Sequence, residues 1–213
     1  MWQQYFDKTF LINLKHRTDR LEETLAHFEE YDVNCSVFEA TAHEKGYFGL
    51  VLTMKSLFKH CIDEGYDKVL VFEDDCRFVV NPDELDYTMC KCVNDLATIN
   101  WDMFYLGLQQ VRQFRRWITQ NILPVDCGYS THATAYSKRA MEFYINAYVD
   151  EPIDNLFVRD FQPYNTSYCS YPLLATQADT YSDIAQDKPN WDRYIQDSYA
   201  KSVREILSLR NKI

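Results

Sequence analysis

The run Lys68-Val69-Leu70-Val71-Phe72-Glu73-Asp74-Asp75 takes an apolar strand straight into three adjacent carboxylates. Four consecutive apolar residues, bounded by Gly65-Tyr66-Asp67 and by the acids, suit a strand buried on both faces, in a parallel or mixed sheet covered by helices. In such sheets ligands sit beyond the carboxyl ends of the strands, which is where Glu73, Asp74 and Asp75 would lie. Clustered carboxylates repel one another unless a metal ion or a basic side chain occupies the site, and hard divalent cations favour oxygen ligands. A metal site that also holds a phosphorylated substrate is one reading. A solvated loop that caps the next helix is the other.

Outward from this strand the chain alternates. Thr9 to Leu14 form an apolar strand that stops at Lys15-His16-Arg17-Thr18-Asp19-Arg20, after which Leu21, Leu25, Phe28 and Tyr31 recur at near-helical spacing with Glu22, Glu23, Glu29 and Glu30 opposite. A second strand is expected over Val33 to Ala40, then a loop with Gly46 and Gly49, then a helix over Leu50 to Glu64 with Leu50, Met54, Leu57 and Cys61 on one stripe. Beyond the acids, Asn81-Pro82-Asp83-Glu84 reads as a helix start with Asn81 as cap. Strand signals return at Trp101 to Leu108 and Thr131 to Ser137. The expected fold class is α/β, with a mixed, mainly parallel central sheet flanked by helices. No linker-like stretch or repeat divides the chain, so residues 1–213 are read as a single domain.

With 213 residues, 46% of them hydrophobic, there is enough chain for a sizeable core. A formal charge of -10 argues against a nucleic-acid binder, because phosphate contacts need a basic surface. The five glycines form neither GxGxxG nor GxxxxGK(S/T), which disfavours a dinucleotide-binding dehydrogenase or a P-loop nucleotidase. Seven cysteines with no CxxC pair read as reduced thiols. The first residues lack a basic segment followed by an apolar core and a cleavage site, so a cytoplasmic location is expected. A peripheral-membrane or secretory-pathway location stays open.

Further segments stand in a fixed order: Phe10-Leu11-Ile12-Asn13-Leu14 with Arg17, Asp19, Arg20 and Leu21; Gly46 to Lys55; Val69 to Asp75; Trp101 to Gly107; Ala135 to Ala140; Pro152-Ile153-Asp154; Gln177; and Ser182-Asp183-Ile184. Together they resemble glycosyltransferase family 25, the lipooligosaccharide and procollagen galactosyltransferase group. One departure stands out: Thr53-Met54 replaces the family's Ser-His pair.

The resemblance implies a GT-A fold, a nucleotide-half over about 8–110, an acceptor half over about 111–190 and a C-terminal helix over about 191–213. It implies a UDP-sugar donor, commonly UDP-galactose or UDP-glucose, and Mn2+ (or Mg2+) as cofactor. The acceptor would be a hydroxyl of a glycan, a lipid-linked glycan or a protein. Asp75 would sit on the metal, with Glu73 or Asp74 on the ribose or on the metal's water shell. Asn13, Arg17 and Arg20 would hold the uracil, ribose or diphosphate, with Gln177 also on the donor. Apart from the resemblance, this turn reads as an ordinary helix start with Asp19 paired to a neighbour.

An inverting transfer needs a carboxylate to take the acceptor proton, and Asp154 is the first candidate, with Asp150, Glu151 and Asp160 as rivals. Asp183 would complete the metal site or bind the sugar. His132 is a rival ligand, although a lone histidine in an apolar strand is more often a core residue. Arg112, Arg115 and Arg116 form a basic patch that reads as a phosphate clamp or a solvated strand face. The tail from Trp191 reads as a helix docked on the domain, because Asp192, Asp197 and Glu205 dilute the basic face that a membrane contact needs. Two other function classes compete: a metal-dependent phosphohydrolase or nucleotidyltransferase, and a non-catalytic, degenerate transferase that serves as a binding module.

Overall fold

The computed structural model describes residues 2–112, 119–179 and 190–210. Its strands are β1 (Lys8–Leu14), β2 (Ser36–Ala40), β3 (Lys68–Glu73), β4 (Cys76–Phe78), β5 (Met103–Tyr105), β6 (Gln109–Arg112), β7 (Ile122–Val125), β8 (Cys127–Tyr129), β9 (Ala133–Ser137), β10 (Ser167–Ser170) and β11 (Ala175–Gln177). The α-helices are α1 (Thr18–Glu30), α2 (Gly46–Asp63), α3 (Pro82–Leu96), α4 (Lys138–Asn146), α5 (Ile153–Leu156) and α6 (Trp191–Arg210).

Seven strands form one sheet in the order β2-β1-β3-β9-β5-β10-β7. The β1–β2, β1–β3 and β5–β10 pairs are parallel, while β9 runs against both its neighbours and β7 runs against β10. Five of the seven therefore point one way, the mixed, mainly parallel α/β sheet expected. Its β3 strand is buried on both faces: Val69 and Val71 join a core with Met54, Leu57 and Phe58 of α2 and Tyr144 of α4. Leu70 and Phe72 join a second core with Phe28 of α1 and Leu85, Met89 and Cys92 of α3. Alternate side chains of one strand thus hold two helical layers, each fully buried large side chain contributing about 1.5–3 kcal/mol.

α3 starts as its sequence dictates, with Asn81 Oδ1 accepting from Glu84 N at 2.9 Å and Pro82 in the first turn. α2 begins earlier than the expected Leu50, so Gly46 and Gly49 lie in its first turn instead of a loop. The reason is a close approach: a Cβ on Gly49 would stand 2.6 Å from the Thr41 carbonyl oxygen. The β2 strand is shorter than the expected Val33 to Ala40, and only Met103–Tyr105 of the 101–108 run forms a strand. α1 is rotated relative to its apolar stripe: Arg20, Thr24 and Phe28 face inward while Leu25 is exposed. α6 docks through Ile195, Tyr199 and Val203, with Tyr199 donating its hydroxyl hydrogen to the Ser170 carbonyl at 2.7 Å. Among the described residues no helix is long and apolar enough to cross a membrane. No disulfide joins any of the seven cysteines.

Candidate functional site

Register decides what meets at the carboxyl end of the sheet. Leu14 of β1 stands opposite Ala40 of β2, and Ile12 stands opposite Glu73 of β3, so the three strands end side by side. The N-terminal turn of α2 closes the other wall through Gly46, Gly49 and Thr53. Between them lies a cleft of about 320 Å³. Asn13, Arg20, Glu73, Asp74, Asp75 and Gln177 all line it, residues drawn from four separate stretches of chain.

A cation from α1 meets two of the three acids. Arg20 Nη1 donates to Asp74 Oδ1 at 2.7 Å, and its Nη2 lies 3.9 Å from Asp75 Oδ2. One turn on, Thr24 Oγ1 donates to the Asp74 carbonyl at 2.6 Å, which explains why α1 buries these polar side chains. Gln177 reaches the site because β11 pairs with β4, opposite Cys76. Its Nε2 donates to Asp75 Oδ2 at 3.3 Å. Thr131 Oγ1 donates to Glu73 Oε1 at 2.7 Å.

Arg17 also pulls on Asp74 and Arg77 on Asp75, yet burial outweighs these cations and raises all three acids. Burial and the neighbouring Asp75 charge push the Glu73 carboxyl up to about 8, with the Thr131 hydrogen bond opposing. Burial raises Asp74 to about 6 against the pull of Arg20. Asp75 is raised by burial too, opposed by Arg20 and Gln177. Among the described residues its buried Oδ1 has no hydrogen-bond partner, and neither has Asn13 Oδ1. Asn13 spends its amide on the Leu14 carbonyl at 2.8 Å.

This donor set suits a hard divalent cation: oxygen ligands only, an orphaned carboxylate oxygen and acids crowded into partial neutrality. Among the described residues no three His, Cys, Asp or Glu side chains are arranged to hold a metal ion by themselves. Asp183, the other expected ligand, lies outside the described residues, as do Arg115 and Arg116 of the basic patch.

The remaining candidates fall elsewhere. Arg17 is absent from the lining and bonds Asp19 through Nε at 3.1 Å and Nη2 at 3.2 Å. Asp154, at the start of α5, is half-buried and also outside the lining. Its carboxylate accepts from the backbone N–H of Asn155 at 3.0 Å, and its charge is felt at Glu73. Burial raises its pKa while nearby backbone N–H groups oppose. His132 is fully buried away from the cleft, where burial lowers its imidazole to about 4, so it is a neutral core residue. Met54 is packed in the α2 core while Thr53 faces the cleft, donating to the Gly49 carbonyl at 2.7 Å and accepting from Thr41 N at 2.8 Å. At Thr53-Met54 the hydroxyl thus faces the cleft and the methionine fills the core. Sequence reading missed Thr24 and Thr131, and the one signal for Thr24 is its i,i+4 spacing from Arg20.

Fold and site together define an α/β protein that presents an under-neutralised carboxylate cluster at the strand carboxyl ends. The curated relatives of this chain are glycosyltransferase 25 family members, as its motifs suggest. Human "Inactive glycosyltransferase 25 family member 3" is 28% identical over 166 residues, covering 63% of this chain and 27% of that protein. "Procollagen galactosyltransferase 1" of Danio rerio is 24% identical over 201 residues, covering 79% of this chain and 32% of that protein. The chain therefore spans roughly a third or less of the length of these relatives. No family model matches it. Among solved structures, A197 from STIV aligns over 80% of this chain and 84% of that chain, with a TM-score of 0.48 and 11% identity.

Proposed function

We propose that this chain is a glycosyltransferase that binds a UDP-hexose, galactose or glucose, in the cleft and transfers the sugar to a hydroxyl of a glycan, lipid-linked glycan or protein. The observation that carries the reading is the buried Asp75 Oδ1, without a hydrogen-bond partner among the described residues, in a cluster of three acids of which Arg20 reaches two, at the end of a sheet where ligands bind. Kinship to proteins named as galactosyltransferases supports the same chemistry.

Asp75 and Glu73 would hold Mn2+ (or Mg2+), which when bound supplies Lewis-acid stabilisation of the departing diphosphate. Arg20 keeps Asp74 oriented and adds a fixed positive charge on the leaving-group side. Asn13 presents an acceptor oxygen and Gln177 an amide, which fix the donor's orientation against the strand ends. Asp154 would take the acceptor hydroxyl proton: it is partly exposed, and the Asn155 N–H orients its carboxylate.

The test is turnover of UDP-, GDP- and CMP-sugars by purified protein with Mn2+ or with chelator, read as nucleotide release. Metal-dependent release of UDP from one hexose donor is the expected result, with Asp154→Asn slowing transfer to acceptor. Silence across the panel, with no thermal stabilisation by UDP and Mn2+, refutes the reading. A second reading, a binding module without turnover, draws on the relative that bears the word inactive in its name. It predicts stabilisation by UDP and Mn2+ with no nucleotide release.

A further inference from the structure

We propose that the turn Ser130–Thr131 is a positioning element of the site, holding the Glu73 side chain at the cleft from behind. The inference rests on the transferase reading above. Thr131 supplies the hydroxyl that bonds Glu73 Oε1 at 2.7 Å. Ser130, the preceding residue, sets the backbone direction from which that hydroxyl is presented to the end of β3.

The backbone is forced to do this. Ser130 has φ +89°, a conformation uncommon for any residue but glycine. Both flanks of the turn are fixed. On one side the Gln162 side chain brackets Gly128, accepting from its N–H and donating to its carbonyl, each at 2.8 Å. A Cβ on Gly128 would stand 2.3 Å from the Leu108 side chain, so the glycine lets Leu108 pack directly on the β8 backbone. On the other side β9 is locked between β3 and β5. Gln109 Nε2 donates to Ser130 Oγ at 3.1 Å and holds the strained residue in place. A turn that served only to reverse the chain would be better met by glycine. A strained serine that aims the neighbouring Thr131 hydroxyl at a site carboxylate marks a functional constraint.

The test uses the full chain and the UDP-hexose that the wild type turns over with Mn2+. Ser130→Gly relieves the backbone and removes the Gln109 bond, and it is expected to keep or raise the melting temperature while lowering kcat about tenfold. Thr131→Val removes the bond to Glu73 at nearly constant volume, and it is expected to lower kcat about tenfold with donor KM within about twofold. Thr131→Ser, which retains the hydroxyl, is expected to recover most of that loss. Unchanged kcat in both Ser130→Gly and Thr131→Val overturns the inference, and so does an equal loss in Thr131→Val and Thr131→Ser, which would indicate packing alone. A wild type that releases no nucleotide removes the transferase reading and this inference with it. An active wild type with unaffected variants removes only the inference.

Discussion

Asp102 and Asp75 are both buried aspartates at strand ends, and the fold treats them in opposite ways. Asp102, 4% exposed just before β5, receives five hydrogen bonds: from Arg139 Nε and Nη2, from Thr166 N and Oγ1, and from Ser137 Oγ. Asp75, 9% exposed beyond β3, has a long bond from Gln177, a guanidinium nitrogen at 3.9 Å and one oxygen with nothing. Burying a charge is costly unless it is paired and hydrogen-bonded. Where the fold completes the pairing, as at Asp102, the carboxylate serves as a clamp joining β5, β9, β10 and α4. Where it leaves the pairing incomplete, a bound ligand is the partner we propose. Two of the motifs behind the family resemblance, Trp101-Asp102 and Ser137-Lys138-Arg139, meet at the clamp, so part of that resemblance reports scaffold instead of chemistry.

The sharpest way to break this comparison is to neutralise each aspartate. Asp102→Ala leaves Arg139 and the Thr166 donors without their acceptor, and it is expected to cost about 3–5 kcal/mol in urea unfolding. A loss below about 1 kcal/mol would mean that the clamp is incidental. Asp75→Asn is expected to reverse the pattern: UDP release in Mn2+ falls about 100-fold, or about 2.7 kcal/mol in transition-state stabilisation, while unfolding stability holds or rises. If Asp75→Asn instead unfolds the protein and spares turnover, the two ends have been assigned the wrong way round.

How much of this contrast the chain discloses in advance depends on distance along it. β3 is legible because four apolar residues in a row can only be covered from both sides, and the α3 cap because Asn81-Pro82 acts locally. The meeting of Asn13, Glu73 and Gln177 at one cleft follows from strand register, which motif order anticipates. Arg20 closing on Asp74 is not legible, since the apolar residues of α1 point the reading toward a Leu21–Leu25 stripe that the buried ion pair overrides. The short strands β4, β6, β7, β8, β10 and β11, three or four residues each, carry too few positions for a period of two to show. The strained Ser130 is invisible for the same reason: what fixes it lies in Gln162, Gln109 and Leu108, all remote in sequence.

The comparison also has a pH signature. Glu73 is raised from 4.5 to about 8 in the folded protein, so the native state holds its proton more tightly than the unfolded chain. That stabilisation is fully present below about 4.5 and is lost as pH rises toward about 8. In chelator, stability should therefore decline across pH 5 to 8, and Glu73→Gln should remove the decline and gain about 1 kcal/mol at pH 8. Mn2+ should flatten the wild-type slope, because a bound cation favours the ionised acids. A wild-type stability that stays level over this range in chelator would mean that the cluster is already balanced without a ligand.

The smallest effect sharpens the clamp side. Arg139 bonds Asp102 through two guanidinium nitrogens, yet its side chain is 62% exposed. Lysine keeps the charge but not the planar fork that makes both bonds. Solvent screening limits the loss, so Arg139→Lys is expected to cost only about 0.5–1 kcal/mol in urea unfolding. Donor turnover should not change, because the clamp and the cleft lie at opposite ends of β3 and β9. A cost as large as that of Asp102→Ala would place the clamp's strength in the guanidinium. A small cost places it in the buried Thr166 and Ser137 donors, which water cannot replace.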